Sequence, residues 1–124
     1  QLANETSVRN FVPNTFAIKK LADETDSLGL CIFAMCNNSE QGLVVRAFPL
    51  GVGIAEDPAS GAANAAIAAF LNETENLNAL GKSYSVSQGR EISRDAVLNL
   101  EIDKDQNVWV GGNCQTVVEG ILHW

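Results

Sequence analysis

Residues 57–71, Asp-Pro-Ala-Ser-Gly-Ala-Ala-Asn-Ala-Ala-Ile-Ala-Ala-Phe-Leu, restrict the fold more than any other stretch of the chain. Asp57 followed by Pro58 predicts a helix start, because the carboxylate accepts from the first free amides and proline at the first helical position gives up no hydrogen bond. From Ala59 to Leu71, small and apolar residues occupy every face rather than one stripe. A helix of that kind is expected to be surrounded by protein. The flanking sequence supplies strands for that purpose. "LCIFAMC" (30–36) and "LVVRAF" (43–48) read as two strands joined by the polar turn "NNSEQG". "SYSVSQ" (83–88), "AVLNLEID" (96–103), "NVWVGG" (107–112) and "QTVVEGILHW" (115–124) read as four more. In the second of these, Leu98, Leu100 and Ile102 alternate with Asn99 and Glu101, the pattern of a sheet with one wet face. A helix over residues 15–28, closed by Gly29 at C′, precedes the first strand. With no internal repeat and no linker composition, the expectation is one α+β domain over residues 1–124, a curled mixed or antiparallel sheet wrapped around a central apolar helix.

Charge and ligand inventory narrow the function. The net charge is −7, with Lys and Arg scattered, so there is no electrostatic footprint for phosphate backbones or anionic lipid, and no nucleic-acid partner is expected. The longest uncharged apolar run, 58–71, is too short for a bilayer core of ~30 Å, so no membrane span is expected. The first ten residues, "QLANETSVRN", lack a basic start and apolar core, and the chain does not begin with Met; the expectation is a trimmed start or a piece of a longer protein. Cys31, Cys36 and Cys114 cannot all pair with one another and are read as reduced, which points to the cytoplasm. The single histidine, His123, stands near the end, so neither a metal site nor a Ser-His-Asp triad is expected.

Chemistry concentrates at the start of the apolar helix. The small residues Ser60, Gly61, Ala62 and Ala63 leave the first helical amides open, and their partial positive charge suits a carboxylate. Asp57 has two readings, a helix cap alone or a cap that also meets ligand. Glu56 reads as a structural partner rather than an acid or base. Gln88, Gly89 and Arg94 either pack near this turn or form a plain strand turn with a surface arginine. Gly111 and Gly112 read as a tight turn or bulge, and Trp109 and Trp124 as packing groups.

Two longer motifs carry a resemblance. "VRAFPLGVGIAEDPASGAANAAIAAFL" is similar to the R-x-F and G-[IV]-x-E-D-P-[AV]-[TS]-G segment of the PhzF-like isomerases of phenazine biosynthesis, and "SQGREISRDAVLNLEI" to their Q-G-x-x-x-x-R strand. "VWVGGNCQTVVEGIL" resembles their closing strands. The likeness covers nearly the whole chain but only the C-terminal half of a typical member. It implies the diaminopimelate-epimerase fold, in which two similar halves, each a sheet around a helix, face each other across the active site.

The resemblance implies a cofactor-free proton transfer on a small carboxylic acid, with Asp57 matching the Asp that assists it and Ser60, Gly61, Ala62 and Ala63 lining the substrate site. The family's catalytic glutamate lies in the half absent here, and Glu56 does not replace it. Ala62 departs from the usual Ser or Asn. Related epimerases use a cysteine in this turn, where this chain has Pro58 and Ala59, so cysteine racemisation is not implied. The alternative is a non-catalytic small-carboxylate-binding or assembly module. The implied partners are a small carboxylate ligand and either a second copy, as a homodimer, or a separate N-terminal half.

Overall fold

A computed structural model describes residues 1–37, 40–74, 77 and 80–123. Two helices come first, α1 (Glu5–Arg9) and α2 (Thr15–Thr25), then strands β1 (Leu30–Met35) and β2 (Leu43–Phe48), helix α3 (Gly61–Glu73), and strands β3 (Ser83–Gln88), β4 (Ala96–Ile102) and β5 (Val108–Gly112). The strands form one open sheet in the order β1-β2-β3-β4-β5. All neighbours are antiparallel except β2 and β3, which run parallel because α3 carries the chain across between them. The α+β architecture and its mixed sheet match the expectation.

Two layers of apolar side chains hold the sheet. On one face, Phe33, Leu43, Val45, Val86, Leu98 and Leu100 pack with Ile67, Ala68 and Leu71 of α3. On the other, Ile32, Ala34, Val44 and Phe48 pack with Val8 of α1 and Ile18 of α2. Strand β2 is buried along its whole length because both of its faces are covered. Strand β4 alternates as expected, with Leu98, Leu100 and Ile102 inside and Asn99 and Glu101 outside.

Several sequence expectations are corrected. Helix α2 ends at Thr25, where Asp26 takes a left-handed conformation (φ 50°) and closes it, one of the few non-glycine residue types that tolerates that region. Gly29 serves elsewhere: its Cα passes so close to β2 that a Cβ would lie 2.1 Å from the Phe48 carbonyl oxygen. Helix α1 was not foreseen; Asn4 caps it by accepting from the Ser7 amide at 2.9 Å. The sheet covers one side of α3, burying Asn64, Ile67, Ala68 and Leu71, while Gly61, Ala62, Ala66 and Phe70 stay exposed.

The expected last strand is absent among the described residues. Residues 113–123 have no regular structure, and Val117, Val118, Ile121 and Leu122 are each more than four-fifths exposed. Strand-forming residues gain nothing without a neighbour to complete the ladder, and this chain offers that segment none. Trp124, and Asn38 and Ser39 of the β1–β2 turn, lie outside the described residues. Among the described residues no helix is long and apolar enough to cross a membrane.

Candidate functional site

The turn that leads from β2 into α3 is built in three steps. Its first anchor is backbone: the Asp57 amide donates to the Ala47 carbonyl of β2 at 2.9 Å, and the two residues form an isolated antiparallel bridge. Its second anchor is the salt bridge one residue earlier. Glu56 accepts from Arg46 twice, Nε to Oε1 at 2.8 Å and Nη2 to Oε2 at 2.9 Å, both side chains being about nine-tenths buried. Glu56 is thus the structural partner expected of it, and Arg46, in the buried β2, is the partner the sequence did not name. The hydrogen bonds it donates to Glu56 hold the Arg46 guanidinium above its ordinary pKa, against the opposing effect of burial.

The third anchor comes from β3. Gln88, fully buried, donates through Nε2 to the Asp57 carbonyl at 2.7 Å and accepts at Oε1 from the Ser60 amide at 3.3 Å. The same oxygen accepts from Nδ2 of Asn64 at 2.7 Å, and that nitrogen also donates to the Ser60 carbonyl at 2.8 Å. Gly89 follows with φ 83°, and a Cβ there would sit 2.5 Å from the Pro58 carbonyl oxygen, so a glycine is required where strand and turn touch. Of the two readings left open for Gln88, Gly89 and Arg94, the first two residues pack under the turn; Arg94 is exposed beside them.

The helix start moves from its expected place. Asp57 does not cap α3: its Oδ1 accepts from the Ala59 amide at 3.0 Å, a local turn ahead of the helix. Ser60 is the cap, its Oγ accepting from the Ala63 amide at 3.3 Å, and helix begins at Gly61 rather than Pro58. The bridge to Ala47 keeps Asp57 in extended geometry, which defers the first helical turn by three residues. The Ala63 amide is therefore occupied within the chain. The amides of Gly61 and Ala62 have no intrahelical partner, by the geometry of any helix start, and both residues are exposed.

Two hollows flank this helix start. One, about 190 Å³, is lined by Leu30, Cys31, Phe48, Ser60, Ala62 and Ala66 and is mostly apolar. The other, about 700 Å³, lies toward β4 and β5 and includes Ala59, Gly61, Ala96, Val110, Gly111 and Gly112. Gly111 and Gly112 stay within β5 and pair with Asn99 and Leu98, so they form neither a turn nor a bulge. Trp109 is exposed, and its Nε1 donates to Asp103 Oδ2 at 2.9 Å instead of packing in the core. Cys31, Cys36 and Cys114 form no disulfide, and the half-buried Cys31 thiol is pushed up in pKa by burial. Among the described residues no group of three or more His, Cys, Asp or Glu side chains could hold a metal ion. Asp57 and Ser60 thus share one turn that runs into α3 at Gly61, Ala62 and Ala63, with the Gly61 and Ala62 amides lacking an intrahelical partner. Asn64, buried and holding Ser60, was not singled out in the sequence; an amide in an otherwise apolar helix was its one signal.

The family described as phenazine biosynthesis-like protein, PhzC-PhzF, matches residues 1–120. Antisense-enhancing sequence 1 of Schizosaccharomyces pombe is 27% identical over 124 residues, covering 97% of this chain and 41% of that protein. An uncharacterized isomerase of Clostridium acetobutylicum is 29% identical over 118 residues, covering 89% of this chain and 39% of that protein. The crystal structure of a PhzF-family phenazine biosynthesis protein of Enterococcus faecalis superposes with a TM-score of 0.73 at 24% identity, over 99% of this chain and 43% of that one. The chain spans about two fifths of the length of these relatives. With a match over nearly every residue, the chain belongs to the PhzF family of phenazine biosynthesis-like proteins.

Proposed function

We propose that this chain forms one wall, the C-terminal one, of a cofactor-free isomerase site for a small carboxylic acid. The observation that carries the reading is that Asp57 lies four residues before the start of α3, at Gly61 and Ala62, on a turn held at three points. A substrate carboxylate accepts from those amides next to the Ser60 hydroxyl and Ala63, and Asp57 carries a proton to or from the adjacent carbon. The second acid–base group, the family's glutamate, comes from a segment outside this chain. The relatives described as isomerases support this reaction class.

A second reading, a non-catalytic small-carboxylate-binding or assembly module, is favoured by Ala62, which lacks the hydroxyl or amide usual in the family. Solvent deuterium incorporation into candidate hydroxy and amino acids separates the two: isomerase action labels the substrate carbon, and binding alone does not. For either, a carboxylate titration is expected to move the Gly61 and Ala62 amide resonances; shifts elsewhere but not there refute the site. Ala62→Ser is expected to tighten binding by ~0.5–1.5 kcal/mol, one neutral hydrogen bond.

The open side of α3, where Ala62, Ala66 and Phe70 are exposed, and the exposed apolar residues 117–122 support a homodimer or pairing with a separate N-terminal half. Light scattering is expected to give twice the 13.2 kDa chain mass, and a clean monomer refutes the homodimer. Three cysteines without a disulfide fit a reducing compartment, the cytoplasm.

A further inference from the structure

We propose that Gln88 is a positioning residue for the anion turn: one buried amide ties the two ends of residues 57–60 together and so sets where Asp57 stands relative to the Gly61 and Ala62 amides. The inference rests on the carboxylate reading above and extends it to a residue behind the site.

The geometry leaves the amide no choice of orientation. The Asp57 carbonyl can only accept and the Ser60 amide can only donate, so Nε2 must face the former and Oε1 the latter, as their 2.7 and 3.3 Å distances reflect. Oε1 then also receives Nδ2 of Asn64 at 2.7 Å, which turns Asn64 so that its own Oδ1 is buried without a hydrogen-bond partner. Flipping Asn64 would set two oxygens against each other, and flipping Gln88 would do so at Asp57. Buried acceptors are nearly always satisfied, and an orphan is a local sacrifice of stability that wants a reason. Here the sacrifice keeps both ends of one four-residue turn on a single rigid group. Strand β3 makes that group rigid, since Gln88 pairs with Val45 on one side and Ala96 on the other.

Charged neighbours do not confuse the picture. Successive strand residues point to opposite faces, so Ser87, which accepts from Arg9, faces α1 together with Glu91, Arg46 and Glu56, while Gln88 faces α3. On the Gln88 side stand Asp57, and beyond Gly89 the exposed Arg94 and the Arg90–Asp95 pair at 2.9 Å.

The test uses trifluoroacetate, a carboxylate charged at every pH of interest, with affinity read from the Gly61 and Ala62 amide shifts of the full chain. Gln88→Met removes all three side-chain hydrogen bonds at similar volume and is expected to weaken binding at least tenfold, with altered Ala59–Ala63 amide shifts and intact β4–β5 resonances. Gln88→Glu supplies the readout that packing alone would not move. When protonated, the introduced carboxyl donates to the Asp57 carbonyl and accepts from Ser60, as the amide does; when ionised it has no proton to donate and repels that carbonyl. Burial raises the pKa of such a group toward neutrality. Relative to wild type, Gln88→Glu is expected to bind nearly normally at pH 5 and at least tenfold more weakly at pH 8. Equal wild-type and Gln88→Met affinities, or a Gln88→Glu to wild-type ratio that does not change with pH, overturn the positioning role. If Gln88→Met does not fold, the Gln88→Glu ratio decides alone. If the wild type itself shows no saturable shift at Gly61 and Ala62, the carboxylate reading falls first, and the positioning role with it.

Discussion

Glu56→Gln tests the second anchor of the turn. The substitution keeps the shape of the side chain but leaves the Arg46 guanidinium, which has only about 7% of its side-chain surface exposed, without a counter-charge. Two bonds between opposite charges, at 2.8 and 2.9 Å, become at most one bond to an uncharged acceptor, because the new amide nitrogen faces guanidinium N–H groups. Breaking one side of a buried pair costs about 3–5 kcal/mol. For a chain of 124 residues, at about 4 °C per kcal/mol, the melting temperature is expected to fall by about 12–20 °C.

Arg46→Met has a different loss. Nη1 donates to the carbonyls of Phe11 at 2.6 Å and of Val8 and Arg9 at 3.3 Å, and the guanidinium lies 5.1 Å from the Phe48 ring centre, so this side chain also ties α1 to the sheet. The double variant Arg46→Met, Glu56→Gln removes both charges and is expected to lose clearly less than the sum of the single changes, by about 2 kcal/mol or more. Urea unfolding followed by circular dichroism measures all three. A Glu56→Gln loss under about 1 kcal/mol, or an additive cycle, refutes the claim that this pair is dry and holds the turn.

The cap reassignment predicts that Ser60→Ala costs about 0.5–1 kcal/mol, the low end for a cap at 3.3 Å, measured by thermal unfolding; a loss on Asp57→Ala larger than on Ser60→Ala would return the cap to Asp57. Burial pushes the Tyr84 hydroxyl up to about 12. It is the only tyrosine in the chain, so phenolate absorbance is expected to stay flat through pH 10 and rise near 12. The folded pKa lies above the unfolded one, so this group's contribution is complete below pH 10 and is lost between about 10 and 12. Because its buried oxygen has no hydrogen-bond partner, Tyr84→Phe is expected to be neutral or stabilising in the same assay. Asp103 is held down to about 2, first by the Trp109 indole N–H and then by Asn107. Its contribution is therefore present above about pH 4 and is lost as pH falls toward 2; Trp109→Phe is expected to raise its carboxyl midpoint in a carbon NMR titration, and no change refutes the indole bond.

The fold class was legible in the sequence because the decisive signals are local. A small-residue helix without a polar stripe and the alternation of Leu98, Leu100 and Ile102 depend on residues within a few positions of each other, and the structure bears out both elements. The helix start was misread for a reason outside that range. Asp57-Pro58 and Ser60-Gly61 are both acceptable openings, and the bridge to Ala47 and the grip of Gln88, 31 residues from Asp57, chose between them. In the same way, "QTVVEGILHW" has the composition of a strand, but the ladder needs a neighbouring backbone, and residues 115–123 find none here. By itself the sequence determined the apolar helix, the alternation along β4, and the turn at which small residues and an acid meet. Only the tertiary structure decided which carbonyl, amide or carboxylate each buried polar group serves, because a hydrogen bond between Gln88 and Asp57, or Arg46 and Glu56, forms between segments whose distance along the chain says nothing of their distance in space.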